Sequence, residues 1–331
     1  MIEEKVSRIV DPKERNDLDS SLRPTNLKEF IGQKKAKDKM RLLIDSAISR
    51  GDSSDHILLS GPPGLGKTTL ATIVAKELNS NIKITSAPTL TKTGDIAKML
   101  TDLNNNDILF IDEIHRLSRT VEEVLYSPME EYRLDILIGK GQTSKSITLP
   151  LKKFTLVGAT TMSGKLSSPL RSRFGMHIRL DYYDDKDLAL IDKRYAELIG
   201  IDLDDDALLK LAGCSRGTPR IAIRILRRVR DFAVRHNKTK VDLEMVKETL
   251  RILEIDDMGL DFMDRKILNT LIKKYDGGPA SLDTIAMSIG EEAASIYEVY
   301  EPFLLQLGFI SRTNRGRIAT DAAYRYLNIN R

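Results

Sequence analysis

The clearest chemistry in the 331-residue chain lies in eight consecutive residues, Gly61-Pro62-Pro63-Gly64-Leu65-Gly66-Lys67-Thr68. At this spacing the glycines fold backbone N–H groups around a phosphate that also sits on a helix N-terminus, where about half a positive charge accumulates. Lys67 then reaches the β- and γ-phosphates and Thr68 holds Mg²⁺. A bare glycine turn before a helix would leave the full eight-residue match unexplained. Further along, Ile108-Leu109-Phe110-Ile111 runs into Asp112-Glu113, an apolar strand ending in two carboxylates, the Walker B arrangement. Asp112 would hold Mg²⁺ through water and Glu113 would polarise an attacking water, and a base within reach of water favours hydrolysis over a nucleotide switch.

These groups need a parallel sheet to position them. An apolar strand at 57–59 leads into the phosphate loop, and Leu70, Ile73, Val74 and Leu78 mark the helix that leaves it. A short strand is expected at 82–85 and another at 154–161, the second delivering hydroxyls to the sheet edge where ligands bind. Thr161, with Thr160 as the alternative, is the candidate γ-phosphate sensor. The segment 168–175 places Arg171 and Arg173 in a loop before a last strand at 177–180. We expect that loop at the sheet's C-terminal rim, where an arginine finger would contribute about 10³ to 10⁵ in rate. Solvated surface arginines are the plainer alternative.

Helical periodicity is predicted at 34–49, 94–103 and 116–131. The segments 136–138 and 146–149, joined by Gly139-Lys140-Gly141, read as an inserted β-hairpin whose Ile147 and Leu149 either pack or form an exposed docking tip. From Asp184 the strands stop. Helices at 186–198, 206–212, 219–236 and 243–253 form a lid, and Gly217-Thr218-Pro219-Arg220 opens the third of them with an arginine able to face a nucleotide. The arginines at 224, 227, 228 and 230 read as a solvated face. After the polar connection 256–259, helices at 264–275, 282–289 and 293–307 and a hairpin around Asn314-Arg315-Gly316 suggest a winged helix. Glu291, Glu292, Glu298 and Glu301 make its third helix acidic, which argues against base reading. Arg312, Arg315 and Arg317 concentrate positive charge in the wing, suited to phosphates and hence to sequence-independent DNA binding. A charged β-turn is the plainer alternative.

Composition sets the outer limits. With 41% hydrophobic and 30% charged residues the chain reads as globular and α-rich rather than disordered. No transmembrane run or signal-peptide core is visible, and one cysteine, Cys214, excludes an internal disulfide, so a cytoplasmic protein is expected. The 52 basic and 48 acidic residues nearly cancel, leaving net charge silent on a nucleic-acid partner. His56, His115, His177 and His236 lack metal-ligand spacing and are expected to be surface or structural.

Taken together, the motifs resemble the RuvB family of bacterial Holliday-junction branch-migration ATPases. The resemblance rests on Leu22-Arg23-Pro24 with Phe30-Ile31-Gly32-Gln33, on 61–69, 109–117, 138–141, 158–161, 166–175, 215–220, 299–306 and 312–317. It implies an α/β P-loop AAA+ domain at 21–183 after a flexible arm at 1–20, a helical lid at 184–254 and a winged-helix head at 255–331. It further implies an ATP- and Mg²⁺-dependent homohexameric ring on duplex DNA and Holliday junctions, partnered by RuvA and the resolvase RuvC. By the same resemblance Leu22, Arg23, Gly64, Gly66, Thr68, Thr69, Glu130, Glu131, Tyr132 and Tyr183 line the nucleotide site. Arg173 is then a finger acting on a neighbouring subunit, Arg220 the lid sensor, and the inserted hairpin the RuvA-docking surface. Met162 and Asn314 depart from the family pattern, at positions where arginine and proline are common. A nucleotide-switched DNA loader and a protein-remodelling ATPase are the competing functions, although no aromatic pore loop is present.

Overall fold

The structure, a computed structural model, describes residues 23–138 and 145–330. The expected arm at 1–20, Leu22 and Gly139-Lys140-Gly141 lie outside them. Two compact units divide the chain: residues up to Ile191 together with Thr218–Arg220, and Asp192–Gly217 together with everything from Ile221 onward.

The first unit is a five-stranded sheet. Helix α1 (Lys34–Arg50) precedes β1 (Ile57–Ser60), followed by α2 (Lys67–Glu77), β2 (Ile82–Ser86), α3 (Thr93–Thr101) and β3 (Asp107–Asp112). Next come α4 (Arg119–Val124), α5 (Tyr126–Glu131), the hairpin β4 (Arg133–Ile138) and β5 (Lys145–Pro150), then β6 (Phe154–Thr160), α6 (Ser168–Ser172) and β7 (Met176–Arg179). The strand order is β2-β3-β6-β1-β7, and every pairing is parallel. Helices cover both faces, so β3 and β6 are predominantly apolar and buried along nearly their whole length. Ala36, Met40, Leu43, Ile44 and Ala47 recur at helical spacing along the buried side of α1. The helix expected over 116–131 is instead a 3-10 turn and two short helices. Ser118 caps α4 by accepting from the Val121 N–H at 3.4 Å, and the chain turns again at Leu125.

The second unit begins within α7 (Asp185–Leu198) and continues through α8 (Asp205–Gly213), most of α9 (Pro219–Arg235) and α10 (Leu243–Ile252), with a two-residue parallel pair β8 (Asp202–Leu203) and β9 (Lys240–Val241). The winged helix then comprises α11 (Phe262–Tyr275), α12 (Leu282–Ile289), α13 (Ala293–Ser295), a π turn at Ile296–Tyr300, α14 (Glu301–Gln306), the wing β10 (Ile310–Thr313) and β11 (Gly316–Ala319), and α15 (Asp321–Tyr326). The helix predicted over 293–307 thus contains a π segment. Pro302 in the first turn of α14 lacks the N–H that an α ladder requires there, which accounts for the widened turn just before it.

The connection 256–259 is packed rather than free. Gly259, at φ 81°, lies so close to the Cys214 carbonyl that a Cβ would come within 2.9 Å of it. Arg216 is buried, stacks over the Phe303 ring at 4.9 Å, and donates to the Gly259 carbonyl (3.0 Å), Asp261 (2.9 Å) and Asp264 (2.7 Å). One guanidinium therefore serves two carboxylates. Burial, against the pull of Arg216 and with the Asp261 charge adding to it, pushes the Asp264 carboxyl up to about 7.

A folded pKa above the unfolded one means that folding takes up a proton between the two values, so this group's contribution rises as pH falls through the folded pKa. The melting temperature of the second unit should therefore rise from about pH 8 to about pH 6 more in the wild type than in Asp264→Asn. Equal pH dependence in calorimetry of the two proteins would refute the assignment.

Candidate functional site

The phosphate loop joins β1 to α2 along the C-terminal edge of the sheet. Gly64 (φ 81°) must be glycine twice over: its backbone is left-handed, and a Cβ there would stand 2.8 Å from the Arg220 Cβ. The Arg220 N–H donates to the Gly64 carbonyl at 3.3 Å, so the lid-sensor candidate sits directly on the loop. Tyr183 is buried beneath it, its hydroxyl reaching the Leu65 carbonyl at 3.5 Å and its ring filling the space a Cβ on Gly32 would take. Burial raises the Tyr183 phenol well above its ordinary range, so it stays a neutral donor. No side chain caps α2, whose N-cap is Gly66 at φ 94°, and its first-turn N–H groups are left for an anion. Thr68 and Thr69 are half-buried in that turn, and Arg23 is exposed at the start of the described chain.

Lys67 is buried and donates to the carbonyls of Gly61 (2.9 Å) and Pro62 (2.8 Å). Burial lowers its pKa while the charges of Asp112 and Glu113 oppose that shift, which places the ammonium in the field of both carboxylates. Asp112 ends β3, where its carboxylate accepts the Glu113 N–H at 2.9 Å. Glu113 takes a left-handed backbone (φ 49°) and its carboxylate pairs with Arg116 at 2.8 Å, both side chains partly in solvent. An uncapped helix N-terminus, an ammonium, a hydroxyl and a carboxylate along one edge fit a nucleotide phosphate chain with a hard divalent cation.

Between these strands lies β6, and the register Ser60↔Thr160 puts its end beside the loop. The Thr160 hydroxyl is buried, pairs with His115 Nδ1 at 3.0 Å and accepts the Met162 N–H at 3.0 Å. The hydroxyl is thus engaged within the fold, which leaves the half-buried Thr161 as the stronger sensor candidate. Because Met162 contributes its backbone here, its departure from the family pattern leaves this contact intact.

The structure corrects one placement. Arg173 was expected at the C-terminal rim, but β7 runs parallel to β1 with Ile57↔Met176, so the residues just before Met176 lie at the N-terminal rim. There Gly175 abuts Asp55, the Met176 N–H donates to the His56 carbonyl, and the Arg173 guanidinium lies over the Tyr126 ring at 4.3 Å. Arg173 also bonds Glu130 (3.1 Å) and the Pro169 carbonyl (2.7 Å). Tyr132 packs edge-on to Phe154, the first residue of β6, at 5.9 Å. His56 ties α5 to this rim, its Nε2 meeting the Met129 carbonyl and its Nδ1 accepting the Leu156 N–H, both at 2.9 Å. Burial depresses its pKa, so it is a neutral structural histidine. The six steps from Phe154 to Thr160 span about 20 Å at roughly 3.3 Å each. Glu130, Tyr132 and Arg173 therefore form one cluster on the rim opposite the chain's own phosphate loop. Tyr126, the platform under Arg173, carries no sequence signal beyond its place in a helical pattern.

In the hairpin, Ile147 and Leu149 are 43% and 37% exposed, while Leu134, opposite Leu149, is buried in the core. In the wing, Arg315 is exposed in the β10–β11 turn, whereas Arg312 and Arg317 converge on Glu301. Glu301 is 1% exposed and ion-paired, so, contrary to the sequence expectation, it adds nothing to the open acidity of the third helix.

An α/β sheet with β6 inserted between the phosphate-loop strand and the Walker B strand, followed by a helical lid, defines a P-loop ATPase of the AAA+ class. Family models match across the chain: a Holliday junction DNA helicase RuvB P-loop domain at residues 22–180, a RuvB AAA lid domain at 183–256 and a RuvB C-terminal winged helix domain at 257–328. The chain belongs to the RuvB family. It is 55% identical over 324 residues to the Holliday junction branch migration complex subunit RuvB of Fervidobacterium nodosum, covering 98% of this chain and 93% of that protein. The protein of the same description from Kosmotoga olearia is 54% identical over 98% of this chain and 95% of its own length. The solved Thermotoga maritima RuvB Holliday junction branch migration motor superposes with a TM-score of 0.85 at 51% identity, over 94% of this chain and 99% of that one. Among the described residues no helix is long and apolar enough to cross a membrane.

Two valine substitutions test the choice of sensor. Thr161→Val should cut ATP turnover and leave the melting temperature nearly unchanged. Thr160→Val should cost about 1–3 kcal/mol of stability by stranding its buried partners. The reverse pattern in paired ATPase and melting measurements would assign sensing to Thr160.

Proposed function

We propose that this protein is an ATP-driven DNA motor that assembles as a homohexameric ring on duplex DNA and drives branch migration of Holliday junctions. The observation that carries the reading is a complete phosphate-binding edge whose candidate finger, Arg173, lies on the opposite rim of the same sheet. A site so divided is completed by the next copy of the chain, and a ring supplies a next copy to every subunit. In this arrangement Glu130, Glu131, Tyr132 and Arg173 of one subunit meet the nucleotide of another. RuvA docks at the β4–β5 hairpin through Ile147 and Leu149, RuvC joins the assembly, and the wing holds DNA phosphates without reading bases.

In hydrolysis the α2 N-terminus and Lys67 neutralise the β- and γ-phosphates, and Thr161 hydrogen-bonds the γ-phosphate. Thr68 and Asp112 would hold Mg²⁺, which when bound neutralises charge developing on the phosphate oxygens. Glu113 orients the attacking water and holds its proton. Arg173 stabilises transition-state charge from the neighbouring subunit, while Arg220, bonded to Gly64 through its N–H, reports the nucleotide to the lid.

Continuous ATP turnover stimulated by duplex DNA, together with migration of a synthetic four-way junction, is the expected result. A single hydrolytic event per binding cycle would instead favour a loader. Glu113→Gln should retain ATP binding and lose about 10²–10⁴ in turnover, since the phosphate-binding groups remain while the base is lost. Near-wild-type hydrolysis by this variant would refute the assignment.

A further inference from the structure

The three wing arginines are not equivalent. Arg317 is held at both ends, Nε to Glu301 Oε1 at 2.9 Å and Nη2 to Oε2 at 3.0 Å, and its side chain is 19% exposed. Arg312 gives only its Nε to Glu301 Oε1, at 2.7 Å, and stays 45% exposed. Its guanidinium also lies over the Tyr297 ring at 5.0 Å. The register places Arg312 directly across from Arg317, so one carboxylate from α14 reaches both strands of the wing. A free surface arginine loses rotamer entropy when it grips a phosphate. Arg312 has already given up part of that freedom: its Nε is bonded to Glu301, Tyr297 meets its guanidinium by ring contact and a side-chain hydrogen bond, and the forked end that suits a phosphate is left on its exposed side.

We propose that Glu301 and Tyr297 are positioning residues that pre-orient Arg312 as the principal phosphate-gripping arginine of the wing, with Arg317 as the strut that fixes Glu301. The inference rests on the DNA-binding reading of the wing. Hydrogen bonds from Arg317 and Arg312 outweigh the effect of burial and hold the Glu301 carboxyl below its ordinary range, so it is charged at neutral pH. The consequence runs against simple electrostatics. Deleting a negative charge from a DNA-binding head should strengthen binding, yet deleting this one should weaken it.

The test is duplex DNA binding across a salt series by the full-length protein, with basal ATPase and melting temperature as controls. Arg312→Ala should flatten the slope of log K against log salt by about 0.9, the counterion-release value for one phosphate contact. Glu301→Gln and Tyr297→Leu should each weaken binding about three- to ten-fold, the cost of loosening one charged hydrogen-bonding group. Neither should weaken it further when Arg312→Ala is already present. If Arg312→Ala leaves both affinity and slope unchanged, the wing reading itself fails. If Arg312→Ala weakens binding but Glu301→Gln strengthens it, or if the losses simply add, the positioning role is overturned and the wing reading stands. Should Glu301→Gln melt early, Tyr297→Leu decides the matter, because it removes no buried charge: unchanged affinity there also overturns the proposal.

Discussion

The parallel pairing of β7 with β1 is the constraint on which the functional geometry depends. With Ile57 beside Met176 and Ser60 beside Arg179, the chain must leave β1 at one rim of the sheet and enter β7 at the other. The phosphate loop and the loop that carries Arg173 are thereby forced apart by the length of the strands. Had these strands been antiparallel, Arg173 would lie near Lys67 and one chain could complete its own site. The observed pairing keeps Arg173 away from its own chain's phosphate loop, and Glu130, Tyr126 and Pro169 hold it at its own rim.

Buried charge organises the second unit in a comparable way. Arg216 and Glu301 each hold two opposite charges, Arg216 joining the end of α8 to the start of α11 more than forty residues on and Glu301 joining α14 to both strands of the wing that follows it. Removing one member of such a pair strands the other and typically costs about 3–5 kcal/mol. Arg216 precedes Arg220 by only four residues in the sequence, and Arg220 sits on the phosphate loop. A short stretch of chain therefore carries both the contact with the nucleotide loop and the anchor of the winged helix.

The sequence made most of the fold legible where periodicity or glycine chemistry was strong: the phosphate loop, the buried strands β3 and β6, α1, α9 and the winged-helix order. It misjudged elements that a single proline or cap divides, as at Pro302 and Ser118, because helical spacing persists through such breaks. It also placed Arg173 at the wrong rim, since a loop's rim depends on strand direction and pairing order, which residue types do not encode. Thr160 and Thr161 read alike in the string, and only the fold shows Thr160 tied to His115 and Met162. Glu301 counted as surface acidity because charge in a string carries no burial. Motifs fixed by spacing along the chain were readable, whereas contacts set by tertiary pairing were not.

If each ATP site is built from two copies of the chain, as proposed, two inactive variants should complement each other when mixed. Arg173→Ala lacks the finger and Lys67→Ala lacks the phosphate lysine, and neither should hydrolyse ATP alone. In mixed assemblies an intact phosphate loop from the first meets an intact Arg173 from the second, and a fraction of the wild-type ATPase rate should return. No recovery in assemblies shown by mass to contain both variants would contradict the account.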